Sequence, residues 1–354
     1  MLNHSGIGTY IHNLVPRITG ALPEFKFNLI GDTQRMRHLA WIQGENITLI
    51  DCVSPIYSMS EQLNLLRKIP EDTSLFWSPH YNIPLLYRGR LVVTVHDIAH
   101  LSLPETAKGL HKQLYARILF NSVRIRADVV IFVSAFSRQE FIRLVGRPGQ
   151  LNHVIYNGIS KVRNGLAEKQ RPHAKPYLLF VGNVKPHKNI AGILKAFERI
   201  KHKIPHDLLI VGRKDGFITG DTEVIDNAWK LSGRVHFTGE IYNESLQQYY
   251  ASAEALIFPS LYEGFGLPPL EAMSYGCPVV VSHVASLPEV CGNAANYVDP
   301  YNVESIAEGI YKMVTDEALR QDLIRKGHER VKLFSWGKSA EEHIRIFQEV
   351  LKLR

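Results

Sequence analysis

Long apolar runs are what this 354-residue sequence has least of: no stretch approaches the roughly 18 uninterrupted hydrophobic residues a membrane-spanning helix needs. The opening residues, MLNHSGIGTYIHNL, have neither the basic start nor the apolar centre of a secretory leader. Cysteine is scarce. Cys52, Cys277 and Cys291 are odd in number and share no CxxC or His-Cys spacing, so free thiols in a reducing cytoplasm are expected rather than disulfides or a zinc site. Low-complexity segments and solenoid-period repeats are absent.

What is present is the composition of a globular protein, 45% hydrophobic and 21% charged. The length favours two domains. The net charge of +7 is uneven: residues 1–165 hold 18 Lys and Arg against 11 Asp and Glu, while the remainder holds 23 of each. The first half is thus expected to face an anionic partner, an anionic lipid surface or a phosphorylated acceptor, unless the charge serves only solubility. Nucleic acid is a poor candidate and none is expected, because no recognised binding motif or dense basic cluster accompanies the charge.

The first half alternates β-rich runs with helical patterns: FKFNLIGD (25–32), NITLIDCV (46–53), SLFWSPH (74–80), RLVVTVHD (90–97), DVVIFVS (128–134) and HVIYNGI (153–159). Several are apolar throughout and end in polar or small residues, as buried parallel strands do where their loops collect a ligand. The polar segment 162–175 reads as a linker. A second series follows: YLLFVGN (177–183), DLLIVGR (207–213), RVHFTGE (234–240), EALIFPS (254–260), PVVVS (278–282) and ANYVDP (295–300). The expected architecture is α/β, two doubly wound domains over 1–165 and 166–335 facing one cleft, with an amphipathic helix at 336–354 crossing back onto the first. A doubly wound domain usually opens on a strand leading into its first glycine loop, but only MLNH precedes the Ser5 of SGIGTY. The expectation is therefore that the natural protein begins earlier. An intact mass equal to that of this sequence alone would count against it.

The segment SLYEGFGLPPLEAMSYGCPVVVS (260–282) sets Glu263 and Glu271 on either side of a glycine- and proline-rich turn. Pro268 and Pro269 are placed to start a helix, where a missing N–H costs nothing. That helix is predicted from about Leu267 to Tyr275, and the backbone N–H groups around Gly264, Phe265, Gly266 and Leu267 would form an anion site at its N-terminus. Carboxylates accept bidentate bonds from vicinal diols. One acid therefore suits a ribose and the other a hexose, with a diphosphate between them; the alternative is two surface acids near a helix start.

EGFGLPPLE, with AMSYGCPVVVS after it, resembles the E-x7-E signature of the retaining glycosyltransferases of family 4, which have the GT-B fold. The likeness extends over SGIGTYIHNL, TVHDIAHL, FVSAFSRQEF, VIYNGIS, FVGNVKPHKN, LLIVGRK and VHFTGEI, in the family's order. It implies that Glu271 binds the nucleotide ribose and Glu263 holds the donor sugar. In GNVKPHKN (182–189), Lys188 would neutralise the donor diphosphate. Many members carry an arginine where this chain has Asn183, and Arg213 or Lys214 could supply the missing cation. His96, ending the strand RLVVTV, would contact the donor sugar, with Asp97 orienting the loop and His80 a weaker candidate for the acceptor side. Gly6 and Gly8 let the backbone approach a ligand closely, although SGIGTY fails as a dinucleotide fingerprint because its third glycine position is Ile11.

Other stretches carry less. Asn157-Gly158 reads as a turn or hinge, Cys277 as a small buried residue and GDTE (220–223) as a surface loop rather than a metal-binding DxD. A membrane-surface helix is one reading of segment 108–126, but Lys108, Lys112 and Arg126 share one side while Arg117 and Arg124 lie nearly opposite, so a clean basic face is absent. A core-facing helix is expected.

The resemblance implies a cytoplasmic enzyme, with peripheral contact at the inner face of the membrane. It would move a hexose, with retention, from a nucleotide-sugar (UDP-glucose favoured, GDP-mannose next) to a saccharide or lipid-linked acceptor in polysaccharide assembly, with no cofactor and no metal. Two alternatives stay open, a nucleotide-sugar epimerase and an inactive nucleotide-sugar-binding protein.

Overall fold

The computed structural model describes residues 6–54, 58–103, 110–149, 151–160, 171–212, 231, 233–241 and 243–352. The chain divides into two compact units, Met1–Gly158 with Ser335–Arg354, and Ile159–Phe334.

The first unit opens on α1 (Gly6–Ala21), followed by β1 (Phe27–Gly31), α2 (Thr33–Met36), β2 (Ile47–Asp51), α3 (Met59–Lys68), β3 (Phe76–Ser78), β4 (Leu91–Val95), α4 (Ala99–Ser102), α5 (Leu110–Arg126), β5 (Val129–Phe132), α6 (Ala135–Leu144) and β6 (Leu151–Val154). Its strands are parallel and form two sheets, β1-β2 and β3-β4-β5-β6. Every residue of LVVTV in β4 and VVIF in β5 is buried, which explains why these strands are apolar without alternation. α5 sends Ala116, Leu119, Phe120 and Val123 into this core, the helix role its sequence favours, and leaves Leu114, Ile118 and Ile125 exposed.

The second unit runs β7 (Tyr177–Val181), α7 (Ile190–Ile200), β8 (Asp207–Val211), β9 (Val235–Gly239), α8 (Asn243–Ser252), β10 (Ala255–Phe258), α9 (Leu267–Ser274), β11 (Val279–Ser282), α10 (Leu287–Cys291), β12 (Asn296–Val298), α11 (Val303–Thr315) and α12 (Glu317–Val331). One parallel sheet of order β12-β11-β10-β7-β8-β9 carries it. The order reverses at β7 and β10, where an open α/β sheet collects its ligands beyond the strands' carboxyl ends.

The last helix, α13 (Trp336–Lys352), belongs to the first unit and packs on α1. Gly158 admits this: a Cβ there would collide with the Ser335–Trp336 backbone. A buried chain of hydrogen bonds joins α13 to the sheet. Trp77 Nε1 donates to Thr94 Oγ1 at 3.1 Å, Thr94 meets the Tyr10 hydroxyl at 3.0 Å, and Tyr10 lies 2.6 Å from His343 Nε2. His343 Nδ1 donates to the Ser339 carbonyl at 2.6 Å, so in the neutral ring Nε2 is the acceptor for Tyr10. Burial lowers the His343 pKa to about 4.

The sign follows. Above the ordinary histidine value of 6.5 the ring is neutral folded or unfolded. Below it the unfolded chain takes a proton that the folded one refuses until about pH 4, so stability falls across that window. The loss from this group is about 3 kcal/mol. The His343→Asn variant is expected to start less stable at pH 7 but to lose less on acidification. Urea midpoints at pH 7, 6 and 5 check this, and identical slopes in both proteins would remove His343 from the account.

Candidate active site

In the second unit, the loop after β7 and the loop after β10 are tied together by Leu261 N–H donating to the His187 carbonyl at 2.8 Å. Lys188 ends a short 3-10 turn, and Asn189 follows in the left-handed conformation (φ 57°) as the N-cap of α7. That strained cap is held by its own side chain, which accepts from Gly192 N and donates to the Pro259 and Pro300 carbonyls at 3.1 and 2.7 Å. The clamp aims Lys188 across to the other loop. Its Nζ lies 2.6 Å from Glu263 Oε1 and 5.2 Å from the centre of the Phe258 ring. The two side chains are only 17% and 11% exposed, so this is a partly desolvated ion pair rather than a surface one.

The turn between the two glutamates is fixed from behind. Buried Ser286 donates to the Glu263 and Phe265 carbonyls, at 2.9 and 2.8 Å. The Phe265 ring is buried edge-on to Phe334 with centroids 5.8 Å apart, so at this position the turn offers a ligand backbone rather than ring. Gly266 takes φ 100°, and a Cβ there would come within 2.7 Å of Leu287 Cδ2. Glycine is therefore required twice over. α9 then starts at Leu267, as its sequence predicts, with no side-chain cap at Gly266. Pro268 and Pro269 remove two of the first N–H groups, which makes this helix end a poorer anion site than most.

Glu271 sits one turn inside α9 and is gripped by Tyr250 of α8, whose hydroxyl donates to Oε2 at 2.8 Å. Burial pushes the Glu271 carboxyl above its ordinary range, and the Tyr250 hydrogen bond acts against that rise. The Tyr250 hydroxyl is itself raised well above the usual value, first by burial and then by the Glu271 charge, so it stays protonated and remains the donor.

The structure brings together Lys188, Glu263 and the Gly264–Leu267 turn. Asn183 is partly buried on the same post-β7 loop. Arg213 and Lys214, and the GDTE stretch at 220–223, lie outside the described residues. In the first unit, His96 follows β4. Its Nε2 donates to the Pro79 carbonyl at 2.8 Å, Tyr10 packs edge-on 4.7 Å away, and burial depresses its pKa. Asp97 Oδ1 accepts from Ala99 N at 2.9 Å, the loop-orienting role its position predicts. His80 is buried with its Nδ1 accepting from Asn82 N at 3.2 Å, and burial lowers its pKa to about 3.

One expectation is corrected. Gly6 and Gly8 stand in the first turns of α1 rather than in an open loop, because Tyr10, Leu14 and Ile18 recur at helical spacing and bury one face. Sequence reasoning missed Tyr250, Ser286 and Asn189.

Two family models tile most of the chain, that of the glycosyltransferase family 4 over residues 10–163 and that of the glycosyl transferases group 1 over residues 163–330. The O-antigen chain mannosyltransferase B of Escherichia coli is 30% identical over 293 residues, covering 77% of this chain and 74% of that protein. The O-antigen chain mannosyltransferase RfbU of Salmonella typhimurium is 30% identical over 273 residues, with 77% and 70% covered. Among solved structures, Anabaena Alr3699/HepE in complex with UDP and glucose superposes with a TM-score of 0.75 at 19% identity over 98% of this chain and 96% of that one. Sucrose-phosphate synthase from Thermosynechococcus elongatus gives 0.71 at 22% identity over 85% and 81%. The fold is that of the GT-B glycosyltransferases. The chain belongs to the group 1 glycosyltransferase family.

Proposed function

We propose that this glycosyltransferase moves a hexose from a nucleotide-sugar to a hydroxyl of a saccharide or lipid-linked saccharide, with retention at the anomeric carbon and without a metal. The observation that carries the reading is the pairing of Lys188 with Glu263 on joined loops at the carboxyl ends of β7 and β10. An ammonium has three donors, so Lys188 can hold Glu263 and still meet a diphosphate oxygen. Glu263 then takes the sugar hydroxyls, and Glu271, oriented by Tyr250, takes those of the ribose. As the anomeric C–O bond breaks, negative charge builds on the leaving diphosphate. Lys188 and the turn's N–H groups stabilise that charge, and a phosphate oxygen accepts the proton of the attacking hydroxyl.

For the donor, the two mannosyltransferase relatives shift the preference from UDP-glucose to GDP-mannose. The basic first half is assigned to the acceptor. Exposed Leu114, Ile118 and Ile125 beside exposed Arg117 on α5 support peripheral contact with an anionic membrane carrying it.

The test is release of free nucleotide from a panel of GDP- and UDP-sugars, with and without EDTA and with and without anionic vesicles bearing lipid-linked acceptors. EDTA-resistant release from GDP-mannose, faster on such vesicles, is the expected result. An isomerised nucleotide-sugar would point instead to an epimerase. Binding without turnover on any donor or vesicle would overturn the transferase reading.

A further inference from the structure

At the opposite, amino-terminal end of the second unit's sheet, three side chains from separate stretches converge. Asp207 opens β8, His236 lies near the start of β9, and His173 precedes β7. His173 Nε2 and His236 Nε2 approach the same carboxylate oxygen, Asp207 Oδ2, at 2.8 and 3.3 Å. All three candidate ligand atoms lie within 4.8 Å of one another. From these contacts we infer a transition-metal site of the zinc class, held by His173, Asp207 and His236, that staples the strand ends β7, β8 and β9.

Both histidine–carboxylate separations are close to what such an ion needs. Bonds of about 2.0–2.1 Å at tetrahedral angles put ligand atoms roughly 3.3 Å apart. The His236–Asp207 separation already has that value, and the His173–Asp207 contact needs to open by about 0.5 Å. Two imidazoles and one carboxylate are the donor set of zinc-type ions rather than of magnesium or calcium, which take oxygen ligands. The two histidines are half-buried, 22% and 39% exposed, so a water can complete the fourth position.

The carboxylate is also supported as a metal ligand is. Arg234 Nε donates to the other oxygen, Oδ1, at 2.8 Å. Arg234 is itself pinned by the carbonyls of Lys201, Ile204 and His206. This arrangement fixes the plane of Asp207, which is 1% exposed, and leaves Oδ2 directed at the histidines. Lys175, 3.7 Å from Oδ1 and largely exposed, is a cation set against the metal. Its removal is therefore expected to tighten binding.

The site is distinct from the Lys188–Glu263 pair, which lies beyond the other ends of these strands, and it does not rest on the transferase reading. The experiment is calorimetric titration of chelator-treated full-length protein with Zn²⁺, with Co²⁺ absorption as a report of ligand geometry and millimolar Mg²⁺ as the control. One equivalent of zinc, a metal-dependent rise in Tm, a tetrahedral Co²⁺ spectrum and no response to Mg²⁺ are expected. His173→Ala and His236→Ala should each weaken zinc at least 10-fold, Arg234→Gln about 10-fold, and Lys175→Ala should strengthen it. Circular dichroism of each variant separates lost ligation from lost fold. Absence of stoichiometric zinc uptake would overturn the inference. So would an affinity unchanged in both folded histidine variants, since the chain has 16 histidines in all, 14 of them outside this site.

Discussion

Replacing Lys188 with alanine is expected to lower kcat for nucleotide release by about 10²–10³-fold while changing KM much less, the usual cost of removing one preorganised donor at a developing oxyanion. The neighbouring helix cannot supply this stabilisation in full. α9 places prolines at its second and third positions, so its N-terminus has fewer N–H groups for an anion than an ordinary helix end. The burden of stabilising a leaving diphosphate therefore shifts to side-chain charge, and Asn183 offers none. Lys188 is held for this by the Asn189 clamp and by Glu263. Because the lysine also neutralises Glu263, a loss of activity could come simply from an unpaired carboxylate. The double variant Lys188→Met/Glu263→Gln separates the two. If pairing were the whole role, the double variant would be as active as Glu263→Gln alone. On the present reading it stays at or below the level of Lys188→Met. The measurement is single-turnover release on the donor the panel selects, with Tm recorded for each protein.

How much of this was legible beforehand depended on whether the deciding interaction is local. The strands β4, β5, β7 and β8 announce themselves because a parallel sheet buried on both faces must be apolar throughout, and LVVTV, VVIF, YLLFV and DLLIV are nearly so. The turn from Glu263 to Leu267 was readable for the same reason: Gly266 and the prolines constrain their own backbone whatever surrounds them. The partners were not readable. Ser286 reaches the turn from 21 and 23 positions away, Tyr250 reaches Glu271 from 21, and Asn189 clamps carbonyls 70 and 111 positions on. Such pairings exist only once the sheet order is set. His173, Asp207 and His236 likewise share no ligand spacing, since each comes from a different strand end. Gly6 and Gly8 misled in the other direction. Two glycines close together suggest a loop, but the burial of Tyr10, Leu14 and Ile18 on one helix face outweighs the roughly 1 kcal/mol that each glycine costs in a helix.

Glu271→Gln is expected to raise KM for the nucleotide-sugar by about 10–150-fold with a smaller fall in kcat, because hydrogen bonds to a charged acceptor are each worth roughly 1.5–3 kcal/mol and those to a ribose persist through the reaction. The amide keeps the shape but loses the charge, and it must present its one carbonyl oxygen either to Tyr250 or to the sugar. Tyr250→Phe provides the sharper comparison. Removing the hydroxyl leaves Glu271 in place but takes away the one bond that opposes the upward push of burial on its pKa. The carboxylate then protonates at a higher pH than in the parent protein. Since only the ionised form accepts two hydroxyl bonds at full strength, the acid limb of the kcat/KM profile should move to higher pH in Tyr250→Phe and disappear in Glu271→Gln. A tyrosine that merely filled space would give a uniform loss across the whole profile. A shift of the acid limb alone, with activity at high pH near that of the parent, assigns Tyr250 as the residue that positions and ionises Glu271.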